Sequence, residues 1–476
     1  MTSLDEPAIG ARRATQDVVL GRLIWLAVTL LPVTGLAGIG AFGELKGSAA
    51  VYVLAAAILF ATFTTPPSEV QIPWPLFAFV ACLLVWLAVT TAINFEGILT
   101  SVFHGRSGIN KFGTSSAVLV FGIATAIVCI RPFRRVRDVE KLFVEPLVIA
   151  VLACAVFAVP EILSWFSSAG GFVYKISTGL LHTADSETGR VPGRLISLAF
   201  EAPDLAYFCG FACPWMLLAY RLKAQHRSSL SAHISAGLPL LLGLITLLLS
   251  NSRTGLLMLG GLIFAEVVYW IGLRGLRLGA IMLVAAVPVF AAVVLVPWLA
   301  LHNVDTTLDA GDVSTTSRLA LFSAQASIFA NNPVFGVGFG QFGFHAGQVL
   351  PAWAWDSYEV VNWFEMFDEL PPTFNVAGRL GAELGVPGLV IWYGFWMMAI
   401  IRIARAAHQL PRRSSLNFLN AALLGSIFSL ILGGMSNDPF RRPETWILIA
   451  ITALHAGSTS EHPIDGKVGG RRDVFG

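Results

Sequence analysis

Long apolar runs separated by short polar joints make up most of the chain. The runs stay apolar for about 18–22 residues, which is the length that an α-helix needs to cross a bilayer, and they lack the alternation of barrel strands. About twelve spans are predicted, roughly at 23–42, 48–65, 74–93, 113–130, 142–165, 205–220, 234–249, 256–273, 278–299, 386–401, 416–432 and 445–456. The pattern therefore predicts an all-α polytopic membrane protein.

Two longer polar intervals interrupt this pattern, one at 166–204 and one at 302–385, between spans nine and ten. The second interval is rich in acidic and aromatic residues, and a loop of its length is usually functional or disordered. Its aromatic residues and the ordered pattern from Asn331 to Gly338 favour a functional loop. The expected organisation is an N-terminal tail (1–22), a membrane domain (23–456) that includes both loops, and a C-terminal tail (457–476).

Composition and charge agree with a membrane protein and predict its orientation. The chain is 55% hydrophobic and only 13% charged, whereas soluble domains contain about 25% charged residues. Its 31 Lys and Arg residues divide about two to one between the two sets of joints. Because cytoplasmic joints carry the excess of basic residues, both termini are predicted to be cytoplasmic and both long loops to lie outside.

Several common functional motifs are absent from the sequence. There is no nucleotide-binding glycine loop, no Asp-x-Asp, no His-Glu-x-x-His and no Gly-x-Ser-x-Gly. The acidic residues of the long loop have no spacing typical of a metal site, and solvation explains them better. We therefore expect no metal, no cofactor and no nucleic-acid partner.

Arginines on the predicted outer side are the first candidates for chemistry, because they oppose the general charge bias. Arg253 occupies a tight joint between two apolar helices, Asn251–Gly255. An arginine there either binds phosphate through its planar fork or pairs with a loop acid at the interface. Arg318 follows Ser314–Ser317, a run that predicts the start of an amphipathic helix over Leu319–Ala330, and the same two interpretations apply to it.

Other candidates have weaker support. Arg190 and Arg194 flank a Pro-Gly turn, and either ligand binding or ordinary loop charge explains them. His345 is a lone loop histidine, and Arg441 and Arg442 have the position of interfacial anchors. The tryptophans between 353 and 363 suit either sugar stacking or an interfacial belt.

Four motifs in register resemble the bacterial O-antigen ligase and polysaccharide polymerase superfamily. They are Asn251-Ser-Arg-Thr-Gly255; Ser317-Arg318 followed by Asn332-Pro-Val-Phe-Gly-Val-Gly338; Phe374-Asn375 followed by Glu383-Leu-Gly-Val-Pro-Gly388; and a looser element from Gly193-Arg194 to Pro203. The resemblance covers about residues 190–401, and the twelve-span topology with a large outer loop agrees with it.

The resemblance implies a glycosyltransferase of cell-surface polysaccharide synthesis in the bacterial inner membrane. Its donor would be a glycan on a polyprenyl diphosphate, such as undecaprenyl diphosphate, and its acceptor a glycan or the lipid A-core. A chain-length regulator or other assembly proteins are the implied protein partners. The residues expected in catalysis are Arg253, Arg318 and Glu383, and those expected in substrate binding are Arg190, Arg194, Glu201, Asn375, Arg379 and His345.

One departure separates this chain from the family pattern. Phe374 stands where family members have a histidine implicated in activating the acceptor in ligases. This difference favours a polymerase over a lipid A-core ligase, although the motifs alone do not separate the two. A secondary transporter is the main alternative from another class, but carriers usually contain two related halves, which this sequence does not show. A structural role in an envelope assembly is a further alternative.

Overall fold

The computed structural model describes residues 6–64, 66, 71–181, 193–225, 229–272, 313–366 and 370–459. Nearly all of the described elements are helices. They are α1 (Glu6–Thr29), α2 (Ala49–Thr64), α3 (Trp74–Ile93), α4 (Phe95–Thr100), α5 (Gly108–Ile130), α6 (Val136–Val139), α7 (Glu145–Ser164), α8 (Ser168–Leu181), α9 (Ala202–Gln225), α10 (Leu230–Leu249), α11 (Arg253–Val267), α12 (Val313–Asn331), α13 (Phe342–Val349), α14 (Tyr358–Val361), α15 (Val376–Ala407), α16 (Ser415–Gly433) and α17 (Pro443–His455).

Short segments complete the described structure. Strands β1 (Val102–Phe103) and β2 (Arg106–Ser107) form an antiparallel hairpin before α5. Short 3₁₀-helices lie at Gly40–Leu45, Ala352–Asp356 and Pro439–Arg441, and π-helical turns lie at Glu140–Val144, Val268–Gly272 and Asn362–Met366.

Eight helices of the described ranges are long and apolar enough to cross a membrane. They include α3, α5, α9, α10, α15 and α16, a continuous helical segment at Val136–Ser164, and Arg253–Trp270. Helix α2 is apolar but shorter. The prediction of an all-α polytopic membrane protein is therefore confirmed. The predicted span at 278–299 lies outside the described residues, and the number of spans stays a prediction.

Several helix boundaries differ from those predicted, and three of the differences change the interpretation. The first helix begins at Glu6 and ends at Thr29, because Pro32 and the glycines after it cannot continue a helix. Helix α12 begins at Val313, so Ser314–Ser317 lies inside the helix and does not cap it. Helix α15 begins at Val376, ten residues before the predicted span, and so includes the end of the predicted loop.

The main hydrophobic core surrounds α16, which is buried over almost its whole length. This helix packs against α9, α11, α15 and α17. Such burial on all sides is what a helix with apolar residues around its whole circumference requires. A second, smaller core lies under the polar interval, where Leu321, Ile328 and Phe342 pack with Phe364. The polar interval therefore contains an ordered unit over 313–366.

A glycine kink in α15 joins two of the sequence motifs. Gly385 leaves helical geometry, with φ 68° and ψ −165°. The Asn332–Gly338 turn fits against this kink: the Val386 amide donates to the Pro333 carbonyl at 2.8 Å, and the Gly338 amide donates to the Glu383 carbonyl at 3.1 Å. The two motifs therefore form one structural unit, in which the turn satisfies backbone groups that the kink releases.

Candidate functional site

The segment that carries Arg194 is fixed by a buried carboxylate. Glu161 in α7 accepts hydrogen bonds from the backbone amides of Ile196, at 2.9 Å, and Ser197, at 2.7 Å. The Leu195 amide donates to the Leu249 carbonyl at the end of α10 at 3.1 Å. Because α10 leads directly into the Asn251–Gly255 joint, these bonds bring Arg194 beside the joint that carries Arg253.

The tight joint itself explains the position of Arg253. Asn251 has a positive φ of 46°, a conformation that asparagine tolerates better than most residues. Ser252 precedes the first residue of α11, Arg253. The Arg253 side chain is exposed, while Thr254 forms a 2.8 Å hydrogen bond with Ser436 and attaches the joint to the segment after α16.

Arg318 in α12 reaches the same region. Burial lowers the pKa of its guanidinium, and the positive charges of Arg194 and Arg253 lower the pKa further. The carboxylates of Glu201 and Glu359 act in the opposite direction. The charges of Arg194 and Arg253 are thus near enough to act on Arg318, and we call these three predicted arginines the arginine cluster.

Contacts on the other side of Arg318 lead to Phe374. Its guanidinium lies 5.2 Å from the centre of the Phe374 ring, a distance typical of a cation–π contact. Ser317, the preceding residue, is fully buried and donates a hydrogen bond to Glu359. The bond from Ser317 to Glu359 therefore anchors the start of α12, and Phe374, at the family histidine position, contacts the Arg318 guanidinium.

Glu201 is the acidic member of this region. The side chain of Glu201 is exposed, but protein around its carboxyl raises its pKa, and the charge of Asp204 raises the pKa further. The cations Arg318, Arg442 and Arg194 oppose this increase. A carboxylate with a raised pKa is a better proton acceptor than an ordinary one.

Arg379 and Glu383 belong to a different arrangement. Both side chains are buried, and the Arg379 Nε donates to the Glu383 carboxylate at 3.1 Å. Arg379 also pairs with Asp438, and its guanidinium lies 5.0 Å from the Phe339 ring. Each of these polar groups already has a protein partner, so the geometry favours a structural role for both residues.

The network around Arg379 extends towards α5. Arg441 pairs with both Asp438, at 3.4 Å, and Glu44, at 2.8 Å, and Glu44 also pairs with Lys111. Burial alone would raise the pKa of Glu44, but Arg441 and Lys111 outweigh it and lower the pKa to about 2. We call Lys111, Glu44, Arg441, Asp438, Arg379 and Glu383 the ion-pair network. It connects α5, the chain before α2, α15 and the segment before α17.

The remaining candidates have local roles or lie outside the described residues. Asn375 caps α15 by accepting from the Gly378 amide at 2.9 Å, and its own amide donates to Met435 at 3.1 Å. His345 is half-buried on α13, where burial lowers its pKa. Arg190 lies outside the described residues. Trp363 contacts Phe374 with 5.9 Å between ring centres.

Sequence reasoning missed Glu44 and Glu161. Neither lies in a recognisable motif, and each acquires its role from residues that are distant in sequence. Asp204 pairs with Arg442, whose pKa it raises against the opposing effect of burial. The sequence Asn437-Asp-Pro-Phe-Arg-Arg442 combines acid and base in a tight turn and signals the Asp438–Arg441 pair, but it holds no signal for the pairing of Arg442 with Asp204.

A comparison with protein families gives an independent assignment for the stretch that contains most of these residues. Residues 238–393 match the O-antigen ligase family model. The match supports the superfamily that the four motifs resemble, and with it a membrane glycosyltransferase of the O-antigen ligase and polymerase type. No curated protein matches the chain.

The O-antigen ligase match includes Arg253, Arg318, Phe374 and the kink at Gly385. Arg194 and Glu201 precede it in sequence, yet hydrogen bonds to α7 and α10 place their segment beside Arg253. The match does not distinguish ligase from polymerase.

Proposed function

We propose that the protein is a polysaccharide polymerase that transfers glycan from a polyprenyl-diphosphate donor, such as undecaprenyl diphosphate, to a glycan acceptor. The observation that carries the proposal is the convergence of Arg194, Arg253 and Arg318. When the bond between the anomeric carbon and the diphosphate breaks, negative charge develops on the leaving diphosphate. Fixed cations stabilise this charge, and they need little rearrangement when they are already in place.

A different part of the fold positions each of the three arginines, and this supports a cluster that is already in place before the donor binds. Arg194 depends on the Glu161 bonds, Arg253 on the tight joint, and Arg318 on its contact with Phe374. Charge-assisted contacts from a guanidinium to phosphate contribute roughly 1.5–3 kcal/mol each.

Glu201 is the residue that we assign to the acceptor. The attacking hydroxyl loses a proton as the new glycosidic bond forms, and we assign the Glu201 carboxylate as the acceptor of this proton because the charges of Arg318 and Arg194 act on it. Its raised pKa suits this role. This assignment replaces the histidine that Phe374 does not supply. The ion-pair network, including Glu383 and Arg379, fixes the helices around the site.

The orientation completes the proposal. The charge distribution favours the arginine cluster on the outer face of the bacterial inner membrane, where the acceptor is a growing glycan. Transfer to lipid A-core is the alternative that the family match keeps open. Phe374 favours polymerase, because the ligase reaction is associated with a histidine at that position.

Substitution of the cluster tests the proposal in cells. Arg253→Ala and Arg318→Ala should abolish polymer formation while the amount of protein in the membrane stays unchanged. Arg106→Ala, an exposed arginine in the β1–β2 hairpin, is the matched control and should leave polymer unchanged. Normal polymer length and amount in both cluster variants would refute the assignment.

A deletion strain separates polymerase from ligase. Loss of a polymerase leaves single repeat units on the acceptor, whereas loss of a ligase leaves full-length polymer on the polyprenyl carrier and an uncapped lipid A-core. Gel analysis of the lipopolysaccharide, the secreted polysaccharide and the extracted lipid-linked glycan distinguishes these patterns. Accumulated full-length lipid-linked polymer would replace the polymerase assignment with the ligase.

A further inference from the structure

A cavity with a charged and apolar lining lies apart from the residues of the arginine cluster. It has a volume of about 1020 Å³. Helix α1, the end of α5 and the start of the segment at Val136–Ser164 border it. Its charged lining comprises Asp17, Arg22, Arg131, Arg134, Arg135 and Asp138. Neither the sequence motifs nor the family match accounts for this cavity, since all of these residues precede position 238.

The cavity lies at the opposite end of α5 from the ion-pair network. Lys111, near the start of α5, pairs with Glu44 of that network, whereas Arg131 directly follows the last residue of the helix. Twenty residues of α-helix rise about 30 Å, which matches the thickness of the hydrocarbon core of a bilayer. The network and the cavity are therefore at opposite surfaces of the membrane.

The lining carries more positive charge than its own carboxylates neutralise. Arg131 pairs with Asp17 at 2.6 Å. The guanidinium groups of Arg22, Arg134 and Arg135 make no side-chain hydrogen bond or ion pair with any residue that the structure describes. Three guanidinium groups around one cavity are well suited to an oxyanion, because their planar forks bind phosphate oxygens.

Apolar side chains complete the lining. Val18, Trp25 and Leu142 border the same space as the arginines. Gly21 also borders it, and a Cβ at this position would lie 3.5 Å from a methyl group of Leu142, so α1 approaches the neighbouring helix closely here. The cavity lies beside α1, at the end of α5 and at the start of the segment Val136–Ser164. Its arginines and apolar groups fit a ligand that is charged at one end and apolar at the other.

We propose that this cavity binds the phosphate of an anionic phospholipid headgroup, in the leaflet opposite the ion-pair network. The basic lining contacts the phosphate, and Val18, Trp25 and Leu142 contact the first part of the acyl chains. Basic cavities between membrane helices are known to accept anionic lipid headgroups. The binding ties α1 to the α5 end and to Val136–Ser164, and so stabilises this surface of the protein. The proposal does not depend on the function of the arginine cluster.

Lipid titration of the full-length protein in a neutral detergent tests the proposal. Phosphatidylglycerol, phosphatidylcholine and inorganic phosphate are added separately, and bound lipid is counted by native mass spectrometry. Phosphatidylglycerol should bind to the wild type more tightly than phosphatidylcholine does. Removing three basic charges with Arg22→Gln, Arg134→Gln and Arg135→Gln should weaken phosphatidylglycerol binding about 100-fold, since each basic group near an anionic surface contributes roughly fivefold.

A second triple variant controls for surface charge. Arg405→Gln, Arg412→Gln and Arg413→Gln remove the same number of charges from exposed positions outside the cavity. This control should keep the preference for phosphatidylglycerol. Equal loss of binding in both triple variants would overturn the proposal, because general surface charge would then explain the binding.

Two further outcomes are decisive. Inorganic phosphate is added at millimolar concentration in competition with phosphatidylglycerol. If it displaces the lipid completely, the cavity is a free phosphate site and the lipid assignment is overturned. If the cavity variant does not reach the membrane, Arg135→Gln alone is measured, because this side chain is exposed and tolerates replacement. That variant should weaken binding about fivefold, and an unchanged affinity would overturn the proposal.

Discussion

The guanidinium of Arg318 lies 5.2 Å from the centre of the Phe374 ring. The contact connects an arginine of the cluster with the position where the family pattern that the motifs resemble has a histidine. A phenyl ring cannot accept a proton, but its face attracts a cation and leaves the outer guanidinium nitrogens available. We therefore expect Phe374 to support Arg318 and not to take part in proton transfer.

Replacement of Phe374 tests this support. Phe374→Leu keeps an apolar side chain and removes the ring face, so polymer formation should fall about two- to thirtyfold, as expected for the loss of about 0.5–2 kcal/mol from a cation–π contact. Phe374→Tyr keeps the ring and should retain activity. The rate of polymer formation in membranes that contain equal amounts of each protein is the measurement. A Phe374→Leu protein as active as wild type would exclude a role for the contact.

Arg379 should behave differently from Arg253 on substitution. Arg379→Met leaves the buried carboxylates of Glu383 and Asp438 without their shared partner, and breaking a buried pair in this way costs about 3–5 kcal/mol. The expected result is loss of folded protein from the membrane, measured by thermal unfolding in detergent.

A compensating substitution checks the reason for that loss. Glu383→Gln added to Arg379→Met removes one of the unpaired charges and should recover part of the unfolding temperature. A single Arg379→Met protein with normal stability and lost activity would instead place Arg379 among the substrate-binding residues, as the sequence predicted.

Glu161 is expected to act on Arg194 from a distance. Its carboxylate accepts from two consecutive backbone amides, and an amide side chain offers only one oxygen for the same purpose. Glu161→Gln should therefore lower the free energy of unfolding by about 1–3 kcal/mol and also reduce polymer formation. Glu145→Gln, a surface carboxylate at the start of the same helix, is the control and should change neither. Full activity and stability of Glu161→Gln would show that the two bonds do not position Arg194.

The stability of the ion-pair network should depend on pH at the acidic end. The folded protein lowers the pKa of Glu44 to about 2 from an ordinary value of 4.5. The stabilisation is therefore fully present above pH 4.5, and it is lost as pH falls towards about 2, because the unfolded chain binds the proton first.

The size of the effect follows from the size of the pKa difference. It corresponds to on the order of 3 kcal/mol, and Glu44→Gln should remove this part of the pH dependence. Thermal unfolding between pH 2 and pH 6, with the wild type and the variant in the same detergent, measures it. The same pH dependence in both proteins would mean that other carboxylates are responsible.

The amino-acid sequence by itself determined the class of the fold and the motifs of the site. Uniformly apolar runs have only one stable form in a bilayer, since helices satisfy all of their backbone polar groups internally. Arg253 was also recognisable as a candidate, because a cation in a tight joint between two membrane helices needs a partner or a ligand. Local signals of this kind depend on neighbouring residues and can be read from the order of the chain.

Only the tertiary structure decided which of the candidate residues work together. Arg379 and Glu383 lie four residues apart and form a buried pair. Arg379 also contacts Asp438 and two aromatic rings, all distant in sequence, and these contacts occupy its guanidinium. Arg194 lies beside the Arg253 joint because Glu161 and Leu249 bind the backbone amides of the residues that directly follow Arg194. Contacts between residues so far apart depend on the packing of helices, which apolar periodicity does not encode. The pattern of the sequence therefore predicts a membrane protein and its candidate arginines, and the fold determines which of these arginines lie in one region.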